Sequence, residues 1–294
     1  PQLVDALGAT HVYASRLYEP AADARDDRIA RRLREQGISF RRARGRVLTD
    51  ASQVQTKTGG NFRVFTPFFK AAEPTWRPRS IPAPDALPSA DFPQQMARHQ
   101  ASIDAPTPAW DAGFWDMWTP GEAGAHAQLD TFIENHLRHY AKRRDLPAHD
   151  ATSRMSPHLH FGEIAPAAIL SRVAGSTNEG ARKLIAELGW REFAYYVLQH
   201  WPQTVEDNFD ARFDGMQWRN DPAALDAWQR GMTGVPLVDA GMRQLWHTGW
   251  MHNRVRMVVA SYLTKHLGID WREGAKWFLY TLVDADIASN TMGW

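Results

Sequence analysis

The chain reads as an α/β piece, the start or remnant of a doubly wound parallel sheet, followed by a larger all-α region. Three observations say so: strand-like and helical segments alternate near the N-terminus, a proline-rich stretch follows, and helical periodicity then runs to the end. Residues 9–16, Thr-His-Val-Tyr-Ala-Ser-Arg-Leu, have strand character. Residues 20–36 space Ile29 and Leu33 at a helical interval among charges, and Gly37 supplies a stop. Ile38-Ser39-Phe40 and Arg46-Val47-Leu48 are expected as further short strands. A complete doubly wound domain needs more strands, so the chain is expected to begin partway through one. Residues 73–120 carry Pro74, Pro78, Pro82, Pro84, Pro88, Pro93, Pro106, Pro108 and Pro120 with little periodicity, which predicts a connector. From about residue 125 the pattern is helical. Val255, Val258, Val259, Tyr262 and Leu263 form an apolar stripe closed by Gly268, and residues 271–283 form another apolar helical stretch. The expected units are 1–72, a connector over 73–124, and a helical domain over 125–294.

Composition narrows the function. Of 294 residues, 44% are hydrophobic and 23% charged, which fits a soluble globular protein. No apolar run approaches the ~18 residues of a membrane span, and Pro1-Gln2-Leu3-Val4-Asp5 lacks a basic-then-apolar signal pattern. With no cysteine, disulfides, thiolate metal sites and cysteine nucleophiles are excluded, and a reducing, cytoplasmic compartment fits. The formal net charge of +1 requires that any nucleic-acid contact be a local basic patch. Tryptophan is abundant, with 13 residues. Stacking on flat heteroaromatic groups is one use for so many.

Four segments carry candidate chemistry. Thr152-Ser153-Arg154-Met155-Ser156-Pro157 packs three hydroxyls and an arginine before a helix start near Pro157, and reads either as a helix cap or as an anion cradle. On a helix, Glu187, Trp190, Arg191 and Ala194 share a face, either as a surface ion pair beside a core tryptophan or as a lined site. Asn253, Arg256, Met257 and Ala260 align at i, i+3, i+4 and i+7, a polar stripe opposite the apolar one. Asp284-Ala285-Asp286 with Asn290 lacks the further oxygen ligands of a calcium loop, so no metal is expected, and the acids are read as acceptors for heterocycle or sugar donors.

Together these segments resemble the photolyase/cryptochrome family, most nearly a bacterial cyclobutane pyrimidine dimer photolyase. The resemblance rests on Val64-Phe65-Thr66-Pro67-Phe68, Thr152 to Pro157, Trp190-Arg191-Glu192-Phe193, Gly241-Met242-Arg243-Gln244-Leu245-Trp246, Thr248 to Arg254, Asp270-Trp271-Arg272-Glu273-Gly274, Asp284-Ala285-Asp286 and Asn290-Thr291-Met292-Gly293-Trp294, in order and spacing over nearly the whole chain.

The resemblance implies an FAD-binding helical domain and light-driven repair of dimers in damaged DNA, with electron transfer from excited reduced flavin to a flipped-out lesion. It implies that Tyr140 and the run Thr152, Ser153, Arg154, Met155 and Ser156 hold the phosphates. Arg191, Asn253 and Arg256 would contact the cofactor, with Arg256 paired to Asp284. Asp286 would accept from the flavin ring or ribityl region, and Asn290 would face its N5. Glu187, Asn253, Trp190 and Met257 would line the lesion cavity as the catalytic set. Arg254 and Trp190 would contact DNA. Trp294, Trp271 and Trp218 would pass electrons from the surface. A second antenna chromophore, folate or deazaflavin, is implied without its identity, as are a monomer and association with the bacterial nucleoid when DNA-bound. The family continues past Trp294, so the C-terminal end is expected to be missing. The rival reading is a cryptochrome photoreceptor. Asn290 opposes its plant type, and Trp190 with Met257 favours dimer repair. No Gly-x-Gly-x-x-Gly motif supports a nicotinamide-dependent flavoprotein.

Overall fold

The structure, a computed structural model, describes residues 2–82, 84–86 and 110–294. Pro88, Pro93, Pro106 and Pro108, with much of the expected connector, lie outside the described residues.

Helix α1 (Gln2–Leu7) leads into β1 (His11–Ser15), α2 (Pro20–Glu35) and β2 (Ser39–Ala43). The strands pair in parallel, His11 against Ser39 through Ser15 against Ala43, and α2 is the crossover such a pair requires. Pro20 opens α2 at a position whose missing N–H costs nothing, and Gly37 follows its end with φ 76°. Leu33 turns inward, whereas Ile29 is exposed. Among the described residues this sheet has two strands.

Arg46-Val47-Leu48 is not a strand. Its polar groups are engaged elsewhere: the N–H groups of Leu48 and Thr49 each donate to Glu192 Oε2 at 2.8 Å, and Arg191 Nη1 donates to Arg46 O at 2.6 Å. A sheet ladder would need those same donors and acceptors. Helix α3 (Phe65–Ala72) then leaves the sheet and buries Phe68 and Ala72 completely.

The rest is helical: α4 (Glu122–Asn135), α5 (Tyr140–Arg143), α6 (Ser156–Phe161), α7 (Pro166–Val173), α8 (Glu179–His200), α9 (Pro222–Gln229), α10 (Pro236–Thr248), α11 (Asn253–Ser261), α12 (Trp271–Thr281) and α13 (Ile287–Gly293). Helix α8 is the axis. It buries residues on nearly every side, as expected of a helix surrounded by others. Phe68 of α3, Phe132 of α4 and Ile169 of α7 join Leu188 and Tyr196 of α8 in one core. Trp228, Met242, Val259 and Leu263 centre a second core among α9 to α12. Of the apolar stripe on α11 and its π-helical continuation (Tyr262–His266), Val255, Val259 and Leu263 are buried, but Val258 is exposed. Gly241 admits α11: an added Cβ would sit 2.4 Å from Val255.

Candidate active site

A cleft of about 360 Å³ opens between α5, the 152–156 run, α8, the start of α11 and the 284–289 segment. Tyr140, the whole run Thr152 to Ser156, Glu187, Trp190, Arg191, Asn253, Arg256, Asp284 and Asp286 line it, so residues far apart in sequence meet at one site. Asn290 and Met257 line a smaller adjoining cavity of about 180 Å³, which shares Asn253, Arg256, Asp284 and Asp286 with the first. All four members of the polar α11 stripe face that second cavity.

Asp284 is the electrostatic centre. Its Oδ2 accepts from Ser156 Oγ at 2.6 Å and Arg256 Nη2 at 2.9 Å, while Arg256 Nε donates to Met251 O at 2.8 Å. Asp286 caps α13, accepting from Ser289 N–H at 2.6 Å through Oδ1, and its Oδ2 accepts from the Tyr195 hydroxyl. Burial, with Asp286 adding to it, pushes the Tyr195 phenol well above its ordinary pKa. Tyr140 is raised in the same direction by burial and by Glu187. Both therefore stay protonated donors.

Arg154 is the one non-glycine residue with positive φ among the described residues, at 52°. Its guanidinium pairs with Asp150 at 3.0 Å and lies 5.4 Å from the centre of the Trp250 ring. A side chain held in this region costs energy, and such strain gathers at functional sites.

Glu187 Oε1 accepts from Arg144 at 2.6 Å, with Lys183 at 3.5 Å. Arg254 grips Asp145 with Nε at 3.0 Å and Nη2 at 2.9 Å. Trp190 is 41% exposed, and one face lies flat on Phe65 of α3, centroids 3.7 Å apart at 9°. Gly189 makes room: an added Cβ would sit 2.4 Å from the Phe69 ring. Asn290 Nδ2 donates to Ala275 O at 3.1 Å, and Trp294 Nε1 donates to Asn290 Oδ1 at 3.1 Å. Trp218, Trp271 and Trp294 share a third cavity, away from the 152–156 run.

Sequence reasoning left out Arg144, His160, Trp250 and Ser289, which also line the cleft. Arg144 lies one turn beyond Tyr140 and His160 one turn beyond Ser156, a spacing that could have flagged both. Burial holds His160 below its ordinary pKa, and hence neutral near pH 7.

The site fits a large polar cofactor. Buried Arg144 Nε, Arg154 Nε, His160 Nδ1, Arg191 Nη2 and Asp284 Oδ1 have no hydrogen-bond partner, and every one belongs to a residue that lines the cleft. Arg16 Nε, Tyr18 Oη, Glu192 Oε1 and His252 Nε2 are likewise unpartnered away from the cleft. Buried polar atoms normally find partners, and the three guanidinium nitrogens gathered at the cleft fit a ligand that brings acceptors and negative charge. Among the described residues no cluster of three or more His, Asp or Glu is placed to hold a metal ion, and no helix is long and apolar enough to cross a membrane.

Comparison with known proteins points the same way. A family profile described as "FAD binding domain of DNA photolyase" matches residues 184–294, and one described as "DNA photolyase" matches residues 1–88. A deoxyribodipyrimidine photo-lyase of Agrobacterium fabrum is 46% identical over 304 residues, covering 99% of this chain and 62% of that protein. Cryptochrome-2 of Arabidopsis thaliana is 33% identical over 309 residues, covering 98% and 50%. A crystal structure of a bacterial class III photolyase from Agrobacterium tumefaciens superposes with TM-score 0.86 at 44% identity, over 100% of this chain and 62% of that one. An archaeal photolyase from Sulfolobus tokodaii with two FAD molecules superposes with TM-score 0.72 at 28% identity, covering 95% and 59%. The chain thus spans about 62% of the length of the first of these relatives.

Proposed function

The chain belongs to the DNA photolyase family, and from that premise we propose that it serves light-driven repair of cyclobutane pyrimidine dimers in DNA, with FAD in the cleft. The observation that carries the reading is the set of three unpartnered guanidinium nitrogens, one imidazole nitrogen and one carboxylate oxygen on residues of a cleft lined by the Thr152 to Ser156 run, Asp284 and Asp286. Reduced FAD, when bound, supplies a light-excited electron.

The chain's own groups do the rest. Thr152 and Ser153 offer hydroxyls and Arg154 a guanidinium to the diphosphate, Ser156 can join only by releasing Asp284, and Tyr140 offers a protonated phenol. Arg256, held by Asp284 and the Met251 carbonyl, offers fixed positive charge at the border of the two cavities. Trp190, backed by Phe65, presents its open face as an apolar wall for an extruded dimer, and Met257 adds a polarizable contact in the adjoining cavity. A dimer stacks poorly and costs less to flip than intact bases, which gives part of the selectivity. Asn253 is the neutral donor for negative charge on the dimer carbonyls. Glu187 has one oxygen on Arg144 and can join only through the other or by releasing that arginine. Arg254 would contact the DNA backbone, and Trp218, Trp271 and Trp294 would recharge the cofactor. The partition into 1–72, 73–124 and 125–294, the doubly wound character of the first unit, a second antenna chromophore, a monomeric state and a cytoplasmic place belong to the same proposal.

The test is chromatography of dimers and monomers after illuminating dimer-containing DNA with reduced, flavin-loaded protein. Light-dependent recovery of monomers supports repair. Flavin binding without monomer formation would favour the photoreceptor reading that the likeness to Cryptochrome-2 keeps open.

A further inference from the structure

We propose that Asp145 is an internal surrogate for a DNA phosphate: it occupies Arg254 in the free protein and tunes DNA affinity by competing for that guanidinium. This rests on the repair reading, which takes Arg254 as a backbone contact.

The geometry is that of an arginine bound to an oxyanion. Arg254 Nε reaches Asp145 Oδ1 at 3.0 Å and Nη2 reaches Oδ2 at 2.9 Å, the parallel fork with which arginine also grips phosphate. Asp145 Oδ1 also lies 3.7 Å from Arg144 Nε, so one carboxylate serves two arginines. Glu187 takes the other edge of Arg144 and faces Lys183. The cations beside the cleft are thus matched by acids of the same chain before any nucleic acid arrives, in keeping with a net charge of only +1. The hydrogen bond and charge of Arg254 hold the Asp145 carboxyl below its ordinary pKa, so it is ionised at neutral pH.

The pair is open to exchange. Side-chain exposures of 45% for Arg254 and 43% for Asp145 let water replace either partner at small cost. A phosphate must either displace Asp145 or sit beside it on the Nη1 edge, which otherwise faces only the Met257 sulfur at 3.7 Å. In both cases the carboxylate opposes it, by competition in the first and by like-charge repulsion in the second. The contrary role, a strut that aims Arg254 at DNA, predicts the opposite sign. Asp145 does not line the cleft, and Arg144, 3.7 Å from it, keeps its 2.6 Å bond to Glu187 when Asp145 is changed.

The experiment measures binding of flavin-loaded protein to undamaged and dimer-containing duplex oligonucleotides by fluorescence anisotropy across a salt series. Asp145→Asn keeps the shape and removes the charge. It should bind undamaged duplex about two- to fivefold more tightly at low salt, the range expected for releasing one exposed pair. The plot of log affinity against log salt should steepen by about 0.9, one more phosphate neutralised. Asp145→Ser should do the same, and the gain should vanish when Arg254→Ala is added. Unchanged or weaker binding by Asp145→Asn, or a gain that survives Arg254→Ala, overturns the proposal. Equal binding of both DNAs by the wild type overturns the repair reading alone, and no binding to either overturns both.

Discussion

Asp284→Asn removes one charge and leaves the side-chain shape almost unchanged. Asp284 is 8% exposed, and its Oδ2 holds both Ser156 and Arg256. Breaking a buried ion pair by deleting one partner costs about 3–5 kcal/mol when the other charge is stranded. Arg256 is not fully stranded: its side chain is 24% exposed and Nε keeps the Met251 carbonyl. The Asn carbonyl can still accept from Ser156, and removing a carboxylate whose Oδ1 lacks a partner relieves some burial cost. The net loss should therefore be about 2 kcal/mol, or about 3 °C in Tm for a chain of this size. Thermal unfolding of the apoprotein measures that value. A larger drop in the flavin-loaded protein would add the ligand's own linkage to the site. A double-mutant cycle with Arg256→Met isolates the pair. A coupling near zero, or an apoprotein Tm within about 1 °C of wild type, would refute the assignment of Asp284 as the centre of the site.

Phe65→Ala should remove the support behind Trp190, lose about 0.5–1.5 kcal/mol of ring pairing beyond the buried area, and red-shift tryptophan fluorescence, with Phe65→Tyr restoring both; an unshifted spectrum would mean Trp190 holds its pose alone. Gly274→Ala would place a Cβ 2.1 Å from Trp294 and 2.7 Å from Leu263, so the overpacking cost of about 1–3 kcal/mol should exceed the ~1 kcal/mol gained in helix propensity. Urea unfolding should show lower stability and flavin photoreduction should slow; a stabilised variant would contradict this packing. His252 caps α11 by accepting from Arg254 N–H at 3.1 Å through an unprotonated Nδ1, and burial keeps its pKa below the ordinary value. The unfolded chain then binds the proton more readily, so its stabilising effect is complete above about pH 6.5 and fades as pH falls through the lower folded value. Urea midpoints across that range should drop on acidification, and a rise would reverse the sign.

The parts legible in sequence were those whose physics is local. Periodicity and the Gly37 signal marked α2, and the i, i+3, i+4, i+7 spacing placed Asn253, Arg256, Met257 and Ala260 on one cavity wall. Arg46 to Leu48 misled because its backbone partners, Glu192 and Arg191, lie more than a hundred residues away. Val258 is apolar and in phase with its neighbours, yet exposed, because the stripe on α11 is narrower than the pattern implies. The pairing of Glu187 with Arg144 and of Arg254 with Asp145 depends on how α5 lies against α8 and α11, which no window of sequence encodes.

The contact between α3 and α8 bears on how such a protein can be inherited. Phe65 and Phe69 belong to the segment that ends the α/β piece, while Gly189 and Trp190 belong to the helix that lines the cleft. A chimera of two relatives joined anywhere between Phe69 and Gly189 would part the rings from the glycine that admits them. A relative with a bulkier residue at that glycine would bring a side chain into space the two phenylalanines already fill. Joining ahead of Val64 would keep lock and key from one parent. Recombination within the family should therefore leave these two distant stretches travelling together.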